Sequence, residues 1–351
     1  MDAVAEMGLE ARVKAWGLEL GFDAIAIAGT DLARDEARLL EWLDRGWHGE
    51  MDYMARHGAR RARPAELVPG TVSIITARLN YKPQARDAWE TLEDGGSAFV
   101  SRYALGRDYH KVLRAKLQAL ADRMTSELGP FHYRVFTDSA PVMEVSLATQ
   151  GGLGWRGKHT LLLSRDAGSM FFLGELFVSL ELAKDAPTTE HCGTCNRCID
   201  ICPTQAIVAP YQLDARRCVS YLTIEHHGAI PEELRPLMGN RIYGCDDCQL
   251  ACPWNKYARV ANDPDFAVRN NLDRAALIEL FSWTEHEFLQ RFEGSAIRRI
   301  GHEKWLRNIA VALGNAPSSP EVVAALQARR EHPSPLVREH VQWALQRQRP
   351  A

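Results

Sequence analysis

The placement of cysteine constrains this chain more than any other feature of its sequence. All eight cysteines of the 351 residues lie between positions 192 and 252. The first four are separated by two, two and three residues and are followed by proline: Cys192, Cys195, Cys198, Cys202, Pro203. The other four end in the same way but have their first member far upstream: Cys218, Cys245, Cys248, Cys252, Pro253. Eight thiolates are enough for two sites with four ligands each.

This spacing is typical of iron–sulfur sites. Two residues between cysteines let a tight loop place several thiolates around one cubane, and the fourth cysteine of such a run ligates the other cluster. The sequence therefore predicts two [4Fe–4S] clusters. One is held by Cys192, Cys195, Cys198 and Cys252, and the other by Cys202, Cys218, Cys245 and Cys248.

Two other uses of cysteine fit the spacing less well. Structural zinc takes two cysteine pairs per site, whereas the first run offers three close ligands and a fourth that is directed elsewhere. Disulfides would suit a secreted scaffold, but the segments outside residues 192–252 contain no cysteine. This distribution fits a metalloprotein of a reducing compartment better.

Charge and hydropathy limit the classes of protein to which this chain can belong. The net charge of −3 gives no overall sign of a polyanion-binding protein, and 46% apolar residues can form a sizeable core. The first 22 residues form an amphipathic pattern without the charged and apolar regions of a signal peptide. No apolar run approaches about 18 residues, the length that indicates a transmembrane helix. We therefore expect a soluble cytoplasmic protein, for which a monomer is sufficient.

Residues 1–185 are predicted to form a domain in which helices alternate with strands. The hydrophobic pattern predicts helices at 5–20, 34–46 and 108–128, strands at 22–28, 72–79, 98–103 and 133–137, and a loop at 84–97. Such alternation is typical of an α/β or α+β domain.

Two further regions complete a predicted α+β multidomain fold. Residues 186–260 form a ferredoxin-type cluster domain, with 211–227 and 231–239 expected to be helical. Residues 261–351 are expected to be wholly helical, with helices at 283–292, 302–313, 320–330 and 335–348. The pieces 305–314 and 336–345 look like a HEAT-type pair, and a plain helical cap is the alternative.

The end of the chain is basic. Residues 291–351 contain ten Lys or Arg against five Asp or Glu, although the whole chain is slightly acidic. This excess suits a polyanionic partner, but it is equally a property of solvated helix surfaces.

Single residues outside the cysteine region give weaker signals. Asp138 and Ser139 follow the fourth predicted strand, where α/β folds place reactive groups, but either could cap the next helix instead. Arg60, Arg61 and Arg63 could hold an anionic or amide group or lie in a solvated loop. The glycine-rich stretch 152–157 would let the backbone approach a bulky ligand closely.

Taken together, these stretches resemble the epoxyqueuosine reductase family. The resemblance covers nearly the whole chain and is carried by SRYALGRDYH at 101–110, TDSAP at 137–141, GLGWRGKH at 152–159, the cysteine framework and the HEAT-like end. The cysteines alone would fit many ferredoxin-like proteins, so the combination gives the resemblance its specificity.

The resemblance implies a cofactor, a substrate and a reaction. A base-off cobalamin would lie between the N-terminal and cluster domains, with electrons passing through both clusters from an unidentified low-potential donor. The substrate would be epoxyqueuosine at the wobble position of a tRNA anticodon. Two electrons and two protons would remove its epoxide oxygen as water, giving queuosine in the last step of queuosine biosynthesis. The basic C-terminal helices would hold the anticodon stem, mostly through phosphates.

The resemblance also implies roles for single residues. Asp138 is the expected proton donor, and desolvation beside the corrin would keep it protonated at neutral pH. The stretches that resemble the cobalamin-facing segments contain Arg61, Ser101, Asp138, Lys158, His159, Thr160, Ser169, Gln212 and Ser220. His110 is not expected to ligate cobalt, because Leu113 stands where cobalt-ligating histidine motifs carry glycine.

Two other functions would use some of the same features. A reductive dehalogenase-like enzyme would apply the same cofactors to a small organohalide, but a basic helical tail has no use there. A ferredoxin-like electron carrier would not need the roughly 190 residues that precede the clusters.

Overall fold

The structure, a computed structural model, describes residues 7–348. The α-helices in these residues are α1 (Leu9–Glu19), α2 (Ala33–Asp44), α3 (Asp52–Arg56), α4 (Pro64–Leu67), α5 (Ala88–Glu93), α6 (Tyr109–Leu128), α7 (Glu144–Gln150), α8 (Arg197–Asp200), α9 (Val219–Ile224), α10 (Asp247–Leu250), α11 (Leu277–Ser282), α12 (Glu285–Arg291), α13 (Gly301–Asn315), α14 (Pro320–Gln327) and α15 (Pro335–Arg347). The strands are β1 (Ala24–Ala28), β2 (Ser73–Asn80), β3 (Phe99–Val100), β4 (Tyr133–Thr137), β5 (Trp155–Arg156), β6 (Leu162–Leu163), β7 (Phe171–Val178), β8 (Ile207–Ala209), β9 (Gln212–Leu213) and β10 (Arg241–Tyr243). Among these helices, none is long and apolar enough to cross a membrane.

A four-stranded antiparallel sheet forms the centre of the N-terminal region, with the strand order β1, β2, β7, β4. Helices α1 and α6 cover one face through residues such as Trp16 and Leu117, and α7 covers the other face through Leu147. The α/β description of this region is therefore wrong, and its α+β alternative is correct. The sequence pattern did not distinguish α/β from α+β. Hydrophobic periodicity indicates which residues are buried, but not whether neighbouring strands run parallel or antiparallel.

Most predicted elements of the N-terminal region are present, with three differences. Residues 5 and 6 of the first predicted helix lie outside the described residues. The predicted 84–97 loop contains α5, because the carboxylate of Asp87 accepts hydrogen bonds from the backbone of Trp89 and Glu90 and so caps a helix start. The predicted strand 98–103 is reduced to β3, which pairs in parallel with β10 of the cluster region.

The cluster region is mostly irregular, with one-turn helices α8 and α10 inside the two cysteine runs. The helix predicted over 211–227 is wrong for its first part, where Tyr211 adopts a φ of 68° and β9 pairs with β8 in a hairpin. Only α9 remains of that helix, and 231–239 contains the 3-10 helix Arg235–Met238. A positive φ at a tyrosine gives no local signal in the sequence, because tyrosine rarely adopts this conformation.

The C-terminal helices pack directly on the cluster region. The four predicted helices correspond to α12, α13, α14 and α15, but the expectation of a wholly helical region is wrong for residues 261–276, which contain only the 3-10 helix Pro264–Phe266. Arg307 of α13 is fully buried and donates hydrogen bonds to the carbonyl oxygens of Leu222, His226 and Gly228. Apolar side chains of the two regions form one hydrophobic core. Helix α13 therefore fixes the position of α9, which begins directly after Cys218.

Candidate active site

The first four predicted cluster ligands lie together in the structure: Cys192, Cys195, Cys198 and Cys252. Cys252 packs with Trp155 and against Cys192. Burial and the proximity of Cys252, Cys192 and Cys195 raise the pKa of the Cys198 thiol to about 11. The cysteine that comes last in the chain thus joins the first run in space.

The other four predicted ligands form a second, adjoining group: Cys202, Cys218, Cys245 and Cys248. Burial and the nearby Cys218 and Cys202 raise the pKa of Cys248, which also lies near Cys198 of the first group. Within residues 7–348, no three His, Cys, Asp or Glu side chains converge as the ligands of a single ion do. Zinc would hold its sulfur ligands about 2.3 Å from one centre, whereas a cubane takes them at separate corners. The cysteines therefore fit two adjacent iron–sulfur clusters.

Lys158 ties the glycine-rich turn to the first cysteine run. Its Nζ donates to the carbonyl oxygens of Gly193 and Cys195 at 2.8 and 3.0 Å and to Asn196 Oδ1 at 3.1 Å. An ammonium group has three donors, so all of them are used within the protein. This contact positions the loop that carries the first cluster ligands.

The next two residues of the turn are His159, which has a ring nitrogen left unpaired by the residues that the structure describes, and Thr160, which has an unusual backbone conformation. His159 is buried, and desolvation lowers its pKa to about 4, so the imidazole is neutral at neutral pH. Its Nδ1 accepts a hydrogen bond from the backbone of Leu161 at 3.2 Å, and its Nε2 has no partner among the described atoms. Thr160 adopts a φ of 73°, a conformation that is costly for a β-branched residue.

Ser101 and Ser169 connect the N-terminal region to the second cysteine run. The hydroxyl of Ser101 donates to Asp246, which also accepts from the backbone of Arg102 at 2.7 Å. Ser169 accepts hydrogen bonds from Gln249 and Asn255. Both serines therefore hold residues close to Cys245, Cys248 and Cys252.

Gln212 and Ser220 lie on the surface of the cluster region. Gln212 is exposed on β9, where its Oε1 lies 3.4 Å from Arg45 Nη1. Ser220 is partly exposed in the first turn of α9. The bond to Arg45 places Gln212 on the side that the N-terminal region contacts, and Ser220 precedes Tyr221, whose Oη accepts from the backbone of Glu50 at 2.8 Å.

Asp138 lies in the turn after β4. It does not cap the following helix, because α7 starts six residues later and its N-cap is Met143, without a side-chain bond. The side chain is 55% exposed to water, although protein surrounds it on most sides. Burial raises the pKa of Asp138, but the neighbouring His110 and the hydrogen bond from Tyr109 Oη outweigh burial and lower it overall. In this state the carboxyl group is ionised at neutral pH.

His110 stands between two carboxylates. Its Nδ1 lies 2.8 Å from Asp108 Oδ1, and its Nε2 lies 3.5 Å from Asp138 Oδ2. Asp108 also accepts from Arg299 Nη2 at 2.8 Å. Asp108 caps α6 with the backbone N–H of His110, which explains why both residues stand at the start of this helix. Tyr109 and Arg299 were not predicted from the sequence, and Arg299 contacts the site across 189 positions of the chain.

Arg61 forms another wall of the site. It is buried, and its Nη atoms donate to the carbonyl oxygens of Ala140 and Tyr53 at 3.3 and 3.0 Å, while its Nε has no partner in the described structure. Its guanidinium lies near Asp138. The neighbouring Arg63 instead pairs with Glu36 and Glu66 at the surface, as expected of a solvated loop.

The fold and these residues define a class: a two-cluster iron–sulfur protein with an acid group in a cleft of an adjoining α+β region. A family model described as a 4Fe-4S double cluster binding domain matches residues 191–255, and one described as Epoxyqueuosine reductase QueG, DUF1730 matches residues 61–139. The epoxyqueuosine reductase of Xanthomonas campestris is 60% identical over 95% of both chains, and that of Escherichia coli is 57% identical over 97% of this chain and 89% of its own. The chain belongs to the epoxyqueuosine reductase family.

A solved structure supports the same assignment. The crystal structure of epoxyqueuosine reductase with a tRNA-Tyr epoxyqueuosine-modified tRNA stem loop matches with a TM-score of 0.89 and 28% identity, over 98% of this chain and 90% of that chain. The family predicted from the sequence is therefore confirmed, and the protein is an oxidoreductase.

Proposed function

We propose that this protein reduces epoxyqueuosine to queuosine at the wobble position of tRNA anticodons, with Asp138 as the proton donor. Membership in the epoxyqueuosine reductase family carries this proposal. It is supported by the acid group in the α+β region that adjoins the cysteine groups and by the relative that was solved with an epoxyqueuosine-modified stem loop. The activity belongs in the cytoplasm, where tRNA is found and cysteines stay reduced, and a monomer suffices for it.

The cofactors would be two [4Fe–4S] clusters and cobalamin. Cobalamin supplies the two-electron reduction of the epoxide when bound, and the clusters supply its electrons from a low-potential donor. Five residues have the free polar atoms or exposure that direct contact with a large polar cofactor requires: Arg61, His159, Thr160, Gln212 and Ser220. The side-chain donors of Ser101 and Lys158 are occupied, and the hydroxyl oxygen of Ser169 accepts from Gln249 and Asn255, so these three residues would act by holding the cluster loops against the cofactor.

Asp138 would deliver a proton to the epoxide oxygen as its carbon–oxygen bond breaks. For this it must be protonated, whereas in the open cleft its pKa is lowered by His110 and Tyr109 against the effect of burial. Substrate and cofactor that cover the cleft would remove water from the carboxylate and raise its pKa. His110, whose Nε2 lies 3.5 Å from Asp138 Oδ2, would return a proton to Asp138.

The tRNA would bind on the C-terminal helices. Helices α13 and α15, which pack against each other, would form the HEAT-type pair, and residues 291–351 carry the basic excess. Arg298, Arg299 and Arg330 are exposed there. Such residues would contact phosphates, which position the RNA without reading its sequence.

The test is nucleoside mass spectrometry on epoxyqueuosine-containing tRNA after anaerobic incubation with the reconstituted protein, cobalamin and a strong reductant. We expect the modified nucleoside to lose the mass of one oxygen. Asp138→Asn should bind both cofactors and the tRNA but give no product, because the amide keeps the size of the side chain and has no acidic proton. Ser139→Ala is the control, since Ser139 is exposed in the same turn.

Two results would contradict the proposal. Unchanged tRNA, with both clusters and cobalamin demonstrably bound, would exclude the reaction. Full turnover by Asp138→Asn would leave the reaction in place and exclude Asp138 as the proton donor.

A further inference from the structure

Arg299 connects the basic C-terminal region to the acid site. It lies in the 3-10 helix Ala296–Ile300, immediately before α13. Its Nη2 donates to Asp108 Oδ2 at 2.8 Å, and its Nη1 lies 3.1 Å from His110 Nε2. The Arg299 side chain is 50% exposed, whereas those of Asp108 and His110 are 7% and 12% exposed. Arg299 is therefore the member of this group that a binding partner can reach.

The Nε2 atom of His110 has two competing neighbours. Asp108 Oδ1 is 2.8 Å from Nδ1, so Nδ1 carries a proton that it donates to this carboxylate. A bare Nε2 accepts a hydrogen bond from Arg299, whereas a protonated Nε2 cannot accept and instead donates to Asp138. Nε2 lies 3.1 Å from Arg299 Nη1 and 3.5 Å from Asp138 Oδ2. The shorter distance favours the first arrangement in this structure.

We propose that Arg299 couples the binding of a tRNA phosphate to protonation of the acid site. The inference rests on the proposed function, because it requires tRNA as the partner. A phosphate that engages the guanidinium draws it away from His110. The freed Nε2 then takes one proton from solvent and donates a hydrogen bond to Asp138. The step moves one proton and no electrons.

The charges around the two groups support this direction. Burial and the positive charge of Arg299 lower the pKa of His110, while Asp108 and Asp138, which accept hydrogen bonds from the protonated imidazole, raise it overall. Arg299 also lowers the pKa of Asp138. A phosphate that neutralises Arg299 removes both effects, so the pKa of each group rises, and His110, whose pKa is already raised, takes up the proton.

Other titratable groups face Asp138 and keep their contacts in this scheme. They are Tyr53, Arg61, Tyr103, Tyr109, Glu144, Glu175 and Glu225. Arg61, the other cation of this set, is buried and bonded to the carbonyl oxygens of Ala140 and Tyr53. A phosphate arriving from solvent therefore meets Arg299 and not Arg61.

The experiment measures protons taken up when RNA binds, without turnover. An epoxyqueuosine-modified tRNA anticodon stem loop is titrated into the cluster-containing protein in a calorimeter, near pH 7, in two buffers that differ in ionisation enthalpy. We expect wild-type protein to take up as much as about one proton per stem loop, the most that one imidazole can bind. Arg299→Gln should take up much less, because its Nε2 is already free to protonate before the RNA binds.

A neighbouring arginine provides the matched control. Arg298 is exposed, and the described contacts give it no bond to Asp108, His110 or Asp138. Arg298→Gln makes the same change in charge, so it should weaken binding in a salt-dependent way and keep the proton uptake. Arg299→Lys keeps the charge without the forked contact and should show intermediate uptake, which provides a second variant if Arg299→Gln does not fold.

The outcomes separate this inference from the proposed function. Stem-loop binding without proton uptake by wild type, or equal uptake by wild type and Arg299→Gln, would overturn the inference and leave the tRNA substrate intact. Absence of any stem-loop binding by the wild-type protein would overturn the proposed function, and the inference with it.

Discussion

Tyr109 holds Asp138 in its ionised form in this structure. Its hydroxyl donates to Asp138 Oδ2, and its ring stacks on Phe172 with centroids 4.1 Å apart. Burial raises the pKa of Tyr109 well above its usual value, so the phenol keeps the proton that it donates. A general acid at position 138 must therefore gain its proton against this hydrogen bond.

Replacing Tyr109 with phenylalanine tests whether its hydrogen bond lowers the pKa of Asp138. Tyr109→Phe keeps the stacked ring and removes the donor, so the pKa of Asp138 should rise. A hydrogen bond to a charged group contributes about 1.5–3 kcal/mol, which corresponds to a shift on the order of one pH unit. The alkaline limb of the pH profile of kcat/KM should move upwards, because protonated Asp138 persists to higher pH. Tyr133→Phe, at a hydroxyl bonded to Gln118, is the control and should leave the profile unchanged.

Strand β7 and helix α7 bring two carboxyl groups together under the Asp138 turn. Glu175 is fully buried in the central part of the sheet, opposite Thr76 and Phe136, and Glu144 begins α7. Both oxygens of Glu175 and one of Glu144 are buried without a hydrogen-bond donor among the described residues. Ionised carboxylates only accept hydrogen bonds. The pair must therefore hold a proton, which one carboxyl group donates to the other.

This pair gives a stability that depends on pH. Burial raises the pKa of Glu175 from 4.5 to about 8, so between these values the folded protein binds more protons than the unfolded chain. The free energy of unfolding therefore falls as pH rises through this window. In Glu175→Gln this fall should be smaller by an amount on the order of a few kcal/mol, measured by denaturant unfolding at about pH 5 and pH 8. An equal fall in the free energy of unfolding for wild type and variant would contradict the shared proton. Glu181→Gln, at an exposed glutamate just after β7, is the control.

Helix α9 carries the ligand that the cysteine spacing leaves furthest from its run. Cys218 immediately precedes α9 and lies beside Cys202. Cys218→Ser should therefore lose one of the two predicted clusters, about half of the bound iron, because serine is a poor substitute for a thiolate ligand. Iron analysis of anaerobically purified protein measures this loss. An unchanged iron content would show that Cys218 is not a ligand.

Elements with a long periodic pattern were predictable from the sequence, and short ones were not. Helix α6 and strand β4 have bounds close to their predictions because their apolar residues repeat along one face. Strand β3 is short and pairs in parallel with β10, and Ser101 and Arg102, which follow it, bond to Asp246, far along the chain. Such contacts leave no periodicity in either segment.

In the candidate site, too, residues in local motifs were predictable from the sequence, and residues placed by distant contacts were not. Asp138 and the cysteines stand in short local motifs, so the sequence indicated them directly. Ser101 and Lys158 were predicted to face cobalamin, but their bonds to Asp246 and to the first cysteine run depend on how distant segments pack. Arg299 belongs to a basic stretch that looks like solvated surface until the fold brings it to Asp108.

At the scale of the whole molecule, one buried cation joins the C-terminal helices to the cluster region. All five N–H donors of Arg307 are used, by the carbonyl oxygens of Leu222, His226 and Gly228 and by Asn308 Oδ1. Burial lowers the pKa of Arg307 to about 10, so it remains charged at neutral pH. The carbonyl groups that it satisfies lie within and just after α9. The C-terminal helices thus support the second cysteine group as well as offering a basic surface.

Arg307→Met tests this support. Methionine fills much of the same volume but leaves three buried carbonyl oxygens and the amide of Asn308 without their donors, at a cost on the order of 3 kcal/mol. We expect a lower thermal midpoint and faster loss of iron from the second cysteine group than from the first, followed by the decay of cluster absorbance and by iron analysis. Arg338→Met is the matched control, because Arg338 also donates to two carbonyl oxygens but lies partly exposed on α15. Equal behaviour of the two variants would mean that α13 only covers the cluster region, and that α9 keeps Cys218 in place without it.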